Sequence, residues 1–424
     1  MTRTATRPPT TRQPEIPVPE PDLTPAELIA RATALQPLLR AQQDENDARG
    51  AYSAELHRAF QKAGLYRTVQ PRLFGGYEFD IPTFYKAMVE VSRGHPGAGW
   101  CLTLCASHPF LIASHWPERA QREFFGPDGD FAAPHRPPPL GRLTPVEDGY
   151  VLNGQWDYCS GIPYATHFVG GALIVREGEP PRAVDAVVRR DQLTVLDDWG
   201  GDATLGMQAS GSNSVRVTDV FVPEHHVVPN VGMHARPEDM ADGTPGTRLH
   251  GNPMYLGRLM GPYHASLVAP VVGAARAALD EYEAIMTTRP TLLDPSVLRA
   301  DHVDFQRPFG RALAMTDAAE AILLQGCRRY MELCQRWAEE GTPIGVEDNF
   351  RLWTMIQQGG KLASEAVELL FHTAGSSPTR RGARLQRYFR DVTMYRTHVS
   401  AQELNFATLV ARAHLGKPTG WRGL

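Results

Sequence analysis

The sequence predicts a mainly helical chain in which a small β domain separates an N-terminal helical domain from a C-terminal four-helix bundle. Three observations predict it. Apolar residues recur at helical spacing over 24–130 and again over 255–424. Between them, 131–228 holds short runs of β-forming residues broken by Gly, Pro and Asp. The chain has 424 residues and is 42% hydrophobic, enough for two or three domains sharing a large core.

Each part follows from its residues. Residues 1–23 are rich in Pro and Thr and lack an apolar run. They predict a disordered leader and not a secretory signal. PAELIARATALQPLLRAQQDEND then follows a capping Thr24, and AYSAELHRAFQKAGLYR repeats the helical pattern. PRLFGGYEFD is a loop, and IPTFYKAMVEVSRG and PGAGWCLTLCASHPFLIASHW are two more helices, the second apolar enough to be buried. In the β domain the strand candidates are YVLNGQWDYC, THFVGGALIV, AVDAVVRR, LTVLDD and SNSVRVTDVFV. Residues 229–254 form a long unpatterned loop. From 255 four long amphipathic segments, the last running from 384 through His398 to Gly416 as one helix, complete the bundle.

Composition excludes several function classes. The net charge of -4 offers no basic field for nucleic acid or an anionic membrane. No apolar run approaches the ~20 residues that span a bilayer. The five cysteines are odd in number, and nothing signals export, so reduced thiols in a cytoplasmic protein are expected. Cys101 and Cys105, four apart in an apolar helix, suit packing and not a metal.

Motifs narrow the chemistry. No GxGxxG, Walker loop, HExxH, CxxC pair or GxSxG occurs, which removes support for a Rossmann nicotinamide site, metal hydrolysis and a serine elbow. NGQWDYCSG, residues 153–161, is expected to put Trp156 and Tyr158 on one side of a strand, with Ser160 and Gly161 after them. That suits a flat, partly polar ring, or equally an aromatic pair packed on the bundle. GMQASG, residues 206–211, reads locally as a hairpin turn before a strand. His167, His225 and His226 read as strand-end or surface residues. His398 lies in RDVTMYRTHVSAQELN, a stretch that needs no histidine to be helical.

Six stretches in this order, over about 25–415, resemble the acyl-CoA dehydrogenase superfamily. They are AGLYR with FGGYE, EVSRGHPGAGWCLTLCASH, NGQWDYCSG, GMQASGSNSVRVTDVFVPEHHV, APVVGAARAALDEYE, and LQRYFRD followed by His398. The resemblance is to its oxygenase branch, the two-component flavin-dependent monooxygenases akin to the p-hydroxyphenylacetate hydroxylase oxygenase component. The dehydrogenases carry Tyr-Glu-Gly-Thr after Arg-Asp, and that Glu takes the substrate α-proton. Here Val399 stands in its place, and the alternative position, YLGRLMGPYH at 255–264, has no carboxylate.

The resemblance implies a middle β-barrel domain, reduced FMN or FAD, O2, a C4a-hydroperoxyflavin, a separate NAD(P)H:flavin reductase and a homotetramer. The substrate class is then phenolic or polycyclic aromatic, with N-oxygenation of an amine, an acyl-CoA dehydrogenase-type reaction and a flavin-free scaffold as alternatives. It implies Ser160 near flavin N5, with Trp156, Tyr158, Cys159 and Gly161 as the wall at the ring. It implies His398 as a base and His108 as an orienting group on the substrate side, with Tyr255 and His264 shaping the substrate pocket. Arg289, Gly375 and Ser376 match positions that hold the flavin phosphate side, often across a subunit interface.

Overall fold

The computed structural model describes residues 12–229, 240–257 and 260–421. Part of the 229–254 loop, residues 230–239, lies outside them. The N-terminal part is helical: α1 (Pro25–Ala34), α2 (Gln36–Ala41), α3 (Gln43–Arg49), α4 (Ala54–Lys62), α5 (Ile81–Gly94), α6 (Pro96–Ala106), α7 (His108–His115) and α8 (Glu118–Phe125). Thr24 caps α1 through a capping box with Glu27. Residues 12–23 correct the expected leader. Glu15 N–H donates to Leu73 O at 2.9 Å, and Ile16, Val18 and Leu23 are buried, so these apolar side chains anchor the segment.

Seven strands follow: β1 (His135–Val146), β2 (Gly149–Trp156), β3 (His167–Ile174), β4 (Arg182–Arg189), β5 (Thr194–Val195), β6 (Val215–Pro223) and β7 (Val227–Pro229). They form one sheet in the order β5-β6-β2-β1-β3-β4-β7, with β1 and β3 parallel and the other neighbours antiparallel. A short α9 (Pro245–His250) leads to the C-terminal helices α10 (Met260–Thr288), α11 (Val303–Glu340), α12 (Val346–Thr373), α13 (Arg384–Thr397) and α14 (Glu403–His414).

The expected single last helix is broken. Arg384–Thr397 ends at His398, whose backbone is extended (φ -64, ψ 139), and a 3-10 turn and α14 follow. His398 is therefore a corner residue, which frees its ring from a helix face.

Small residues bring α5, α6 and α10 together. A Cβ on Gly99 would fall 2.0 Å from Ser92 Oγ, and one on Gly273 would fall 2.4 Å from Ser92 Cβ. The helices can approach this closely only because those side chains are missing. Buried ion pairs lock the same assembly. Arg387 on α13 bonds Asp47 at 2.8 Å and also pairs with Asp44, tying the bundle to α3. Truncating it as Arg387→Ala strands a buried Asp47 carboxylate and is expected to cost about 3–5 kcal/mol by chemical denaturation. A loss under 1 kcal/mol would show that the pair adds little.

All five cysteines are free and buried. Among the described residues no helix is long and apolar enough to cross a membrane.

Candidate active site

One cavity of about 330 Å³ lies where the β domain meets α6, α10 and α13. Its lining includes Trp100, His135, Arg136, Tyr158, Ser160 and Trp199. Met207, Ser210, Ser212, Tyr263, Leu267, Tyr395, His398 and Val399 also border it, and no carboxylate does among the described residues. Larger is a groove of about 850 Å³ on the outer face of α11, α12 and α14, but it lies apart from all these groups.

The turn after β2 builds one wall. Trp156 ends the strand and points into the β domain, where its Nε1–H donates to Gly171 O at 2.9 Å. Gly141, Gly154 and Gly170 make room for its ring, since a Cβ on any of them would come within 3.1 Å of it. Trp156 and Tyr158 therefore do not share a side, contrary to the strand alternation. Tyr158 leaves the strand with φ +58, which turns its ring outward to 59% exposure, edge-on to Trp199 at 5.8 Å. Positive φ costs a non-glycine residue strain, and Met207 across the cavity shares it at φ +50. Cys159 is buried behind the wall with its thiol on Trp156 O. Gly161, at φ +96, brings the turn against α6 and donates its N–H to Gly211 O at 3.0 Å.

Ser160 reaches the cavity and anchors a chain of hydroxyls. Trp100 Nε1–H donates to Ser160 Oγ at 3.2 Å, Ser160 and Ser212 share a hydrogen bond at 2.7 Å, and Ser210 and Ser212 share one at 2.6 Å. The Arg390-Asp391 pair holds the loop carrying these serines. Asp391 accepts Met207 N–H at 2.6 Å, Arg390 donates to Leu205 O at 2.7 Å, and Gly206 leaves the space that the Arg390 carbonyl occupies.

His398 borders the cavity from the opposite side, its ring edge-on to Trp100 at 6.4 Å. Its Nδ1 accepts Ser400 N–H at 3.1 Å, so the neutral ring carries its proton on Nε2. Burial and then the nearby Arg136 charge push its pKa down to about 4. At neutral pH it is thus arranged to donate a hydrogen bond, whereas the resemblance implied a base.

The other expected substrate residues lie one layer back. His108 is buried, holds Ala133 O through Nδ1 at 2.7 Å, and packs behind His135 and Tyr263. Tyr255 precedes α10 and donates its hydroxyl to Val69 O at 3.1 Å. His264 is buried and stacks on Trp353 at 4.5 Å. The α10 residues that do border the cavity are Tyr263 and Leu267, four apart on one helix face, and His264 is turned ~100° away from Tyr263.

Arg289, Gly375 and Ser376 lie elsewhere in this chain. Arg289 donates to Ser377 Oγ and lines a separate hollow of about 370 Å³ with Arg40, Asp44, Arg384 and Arg387. Gly375 (φ +89) and Ser376 form the turn beside it. His225 and His226 both bond Glu123, at 2.9 and 2.6 Å, and pin the turn after β6 to α8; His167 hydrogen-bonds Thr166.

The residues present fit a flavin ring. The wall offers an exposed Tyr158 beside Trp199 for stacking, a three-serine hydroxyl chain at the ring edge, and the Arg136 guanidinium.

Residues 265–403 match the family model "Acyl-CoA dehydrogenase, C-terminal domain". A pigment production hydroxylase of a Rhodococcus species is 29% identical over 383 residues, covering 89% of this chain and 93% of that protein. The oxygenase subunit HsaA of a flavin-dependent monooxygenase from Rhodococcus jostii is 26% identical over 391 residues, 92% and 98% of the two chains. Nearly the whole chain is thus similar to flavin-dependent oxygenase subunits, and its C-terminal region matches the acyl-CoA dehydrogenase model. The crystal structure of 3-HSA hydroxylase from Rhodococcus sp. RHA1 superposes with a TM-score of 0.82 at 25% identity, over 92% of this chain and 97% of that one. Val399, which follows His398, borders the cavity.

Proposed function

We propose that the protein is the oxygenase component of a two-component flavin-dependent monooxygenase, hydroxylating a phenolic or polycyclic aromatic molecule. The carrying observation is the cavity itself: aromatic and hydroxyl-lined, with the His398 imidazole at its wall and no carboxylate among the described residues to remove an α-proton. Reduced FMN or FAD bound there would supply O2 activation and the transferred oxygen atom. Ser160 would hold the polar edge of the ring, Tyr158 and Trp199 would flank it, and His398 would donate its Nε2–H to an oxygen atom facing α13. The buried Trp100 and Leu267 would exclude water from the reacting atoms.

Neither nucleic acid nor a membrane enters the scheme. A separate NAD(P)H:flavin reductase would deliver the flavin in the cytoplasm, since the sequence has no dinucleotide fingerprint of its own. A homotetramer would bring a neighbour's Arg289, Gly375 and Ser376 toward the phosphate end. Leu292 and Leu293, 90% and 97% exposed just after α10, and Leu404, 78% exposed on α14, suit such contacts.

The test mixes the protein with photoreduced FMN or FAD, then with oxygenated buffer and a panel of mono- and polycyclic phenols. The product should be about 16 Da heavier than its phenol under normal O2 and about 18 Da heavier under oxygen-18 gas, the gain of one oxygen atom from O2. Reoxidation of reduced flavin at its rate in plain buffer, with no oxygenated product, would reject the proposal. In the same assay Ser160→Ala removes the cavity end of the hydroxyl chain. It is expected to raise hydrogen peroxide released per flavin about tenfold, the worth of one hydrogen bond of ~1.4 kcal/mol. An unchanged peroxide yield would take Ser160 out of the flavin contact.

A further inference from the structure

His225 and His226 are neighbours in the chain, and the side chains of neighbours usually diverge. Here they converge. Both lie on the 3-10 turn Glu224–His226 after β6, and both rings reach across to α8. Nε2 of His225 lies 2.9 Å, and Nε2 of His226 2.6 Å, from the same atom, Oε2 of Glu123. The two ring centroids are 4.6 Å apart. None of the three residues borders the active-site cavity, and the oxygenation chemistry gives them no part.

The cluster is held from behind and open in front. Trp116 Nε1–H donates to His226 O at 3.0 Å and fixes the turn. The His226 ring packs on Phe124, the residue after Glu123, at 4.5 Å. Arg119, one turn earlier on α8, donates to the other carboxylate oxygen, Oε1, at 3.2 Å. That leaves Oε2 as the atom presented to both imidazoles. Each imidazole side chain is 18% exposed and that of Glu123 41%, so an ion can enter from solvent.

Its charge suits a cation. Slight burial opposes ionisation of Glu123, yet the hydrogen bonds from His225, His226 and Arg119 hold its carboxyl down at about 2. Burial lowers the pKa of His226, which keeps that ring neutral and able to offer a lone pair. In the hydrogen-bonded cluster two N–H groups share one oxygen. When each ring takes its other tautomer the proton moves to Nδ1, and lone pairs from three side chains meet at one point.

We propose that Glu123, His225 and His226 bind a divalent transition-metal ion, zinc fitting best, which clamps the end of β6 to α8. Two imidazole nitrogens and one carboxylate oxygen are a zinc ligand set, with water at the fourth position. They select against Mg2+ and Ca2+, which take oxygen ligands. Ligand atoms ~2.0–2.2 Å from a tetrahedral zinc ion stand about 3.3 Å apart. The three atoms here all lie within 4.8 Å of one another, so small ring rotations seat the ion. The clamp fixes the point from which the chain leaves the sheet for α9 and α10. It is independent of the monooxygenase reading.

The test adds Zn2+ to tag-free, metal-stripped protein near neutral pH and measures bound ion by equilibrium dialysis. One ion per chain should bind in the micromolar range. His225→Gln, His226→Gln and Glu123→Gln should each weaken binding at least about tenfold. Arg119→Ala removes a competing charge but no ligand, and should tighten binding about two- to fivefold. His414→Gln, whose imidazole pairs with Glu347 elsewhere on the surface, is the control and should bind as the wild type does. Co2+ in place of Zn2+ reports the ligands. Its visible bands should be those of nitrogen and oxygen ligation, with no thiolate charge-transfer band from the buried cysteines. Circular dichroism establishes that the variants are folded, and Zn2+ should raise the melting temperature of the wild type but not of His226→Gln. Absence of micromolar Zn2+ binding, or binding undiminished in the three Gln variants, overturns the proposal and leaves the cluster as a hydrogen-bonded pin alone.

Discussion

Gly161→Ala is expected to destabilise the protein by about 2–5 kcal/mol and to abolish flavin-supported oxygenation even at temperatures where the variant is folded. Two costs add. The backbone sits at φ +96, where a Cβ is strained, and that Cβ would lie 2.8 Å from Cys105 Cβ and 2.9 Å from the Cys101 carbonyl. Neither can retreat, because α6 is buried along its whole length. The turn must then lift off α6. Gly161 N–H bonds the carbonyls of Ser210 and Gly211, so lifting it separates Ser160 from Ser212 and opens the hydroxyl chain. Gly341→Ala isolates the strain. Gly341 is likewise left-handed (φ +69, ψ 16) with nothing within 4 Å of its Cβ, so only the backbone cost of roughly 1–2 kcal/mol applies and activity should persist. Equal losses of stability and activity in the two variants would show that conformational strain, and not the packing against α6, accounts for the effect.

How much of this site could be read from the chain depends on the range of the interaction. The domain order was legible because hydrophobic spacing changes from helical to alternating near residue 131 and back near 255, and the structure changes element type at His135 and Met260. The serine at 160 was legible through the motif around it. Its partners were not, since Ser212 lies 52 residues away and sat in a stretch that read as a hairpin turn. The corner at His398 was hidden because RDVTMYRTHVSAQELN contains no Gly or Pro to announce it. The histidine side chain caps the start of the 3-10 turn that follows, which spacing does not report. Trp156 misled for the opposite reason. Alternation assigns it to the face of Tyr158, but the strand ends between them and Tyr158 turns through positive φ. The Asp185 signal was present and unused: one carboxylate inside the apolar run AVDAVV of a buried strand. A charge there requires a partner, and His135 is 50 residues away on β1.

Acidification from pH 7 to pH 5 is expected to lower the melting temperature by many degrees, with little change between pH 7 and pH 8. Burial holds His95, His115, His167 and His398 at about 4, and His108, His250 and His264 at about 3. Each folded value lies below the ~6.5 of an unfolded histidine. The unfolded chain therefore binds more protons as the pH falls, and stability present above ~6.5 is lost progressively toward pH 4. At pH 5 one such histidine costs at most about 2 kcal/mol. Several together rival the whole ~5–15 kcal/mol that stabilises a folded protein. Asp391 opposes the trend. Burial, with Asp47 nearby, raises its carboxyl to about 7, so that group contributes stability at low pH and loses it as the pH rises through 7. Glu78, raised by burial, acts in the same direction. These two offset part of a sevenfold effect and leave its sign unchanged. The check is a series of thermal melts from pH 8 to pH 5, repeated on His264→Phe. His264 stacks on Trp353 and has no partner for either nitrogen, so phenylalanine keeps the stack and removes one titrating group. The variant should lose less stability on acidification than the wild type. A wild-type melting temperature that is flat from pH 7 to pH 5 would mean that these imidazoles are protonated in the folded protein, and that the neutral His398 donor is absent at acid pH.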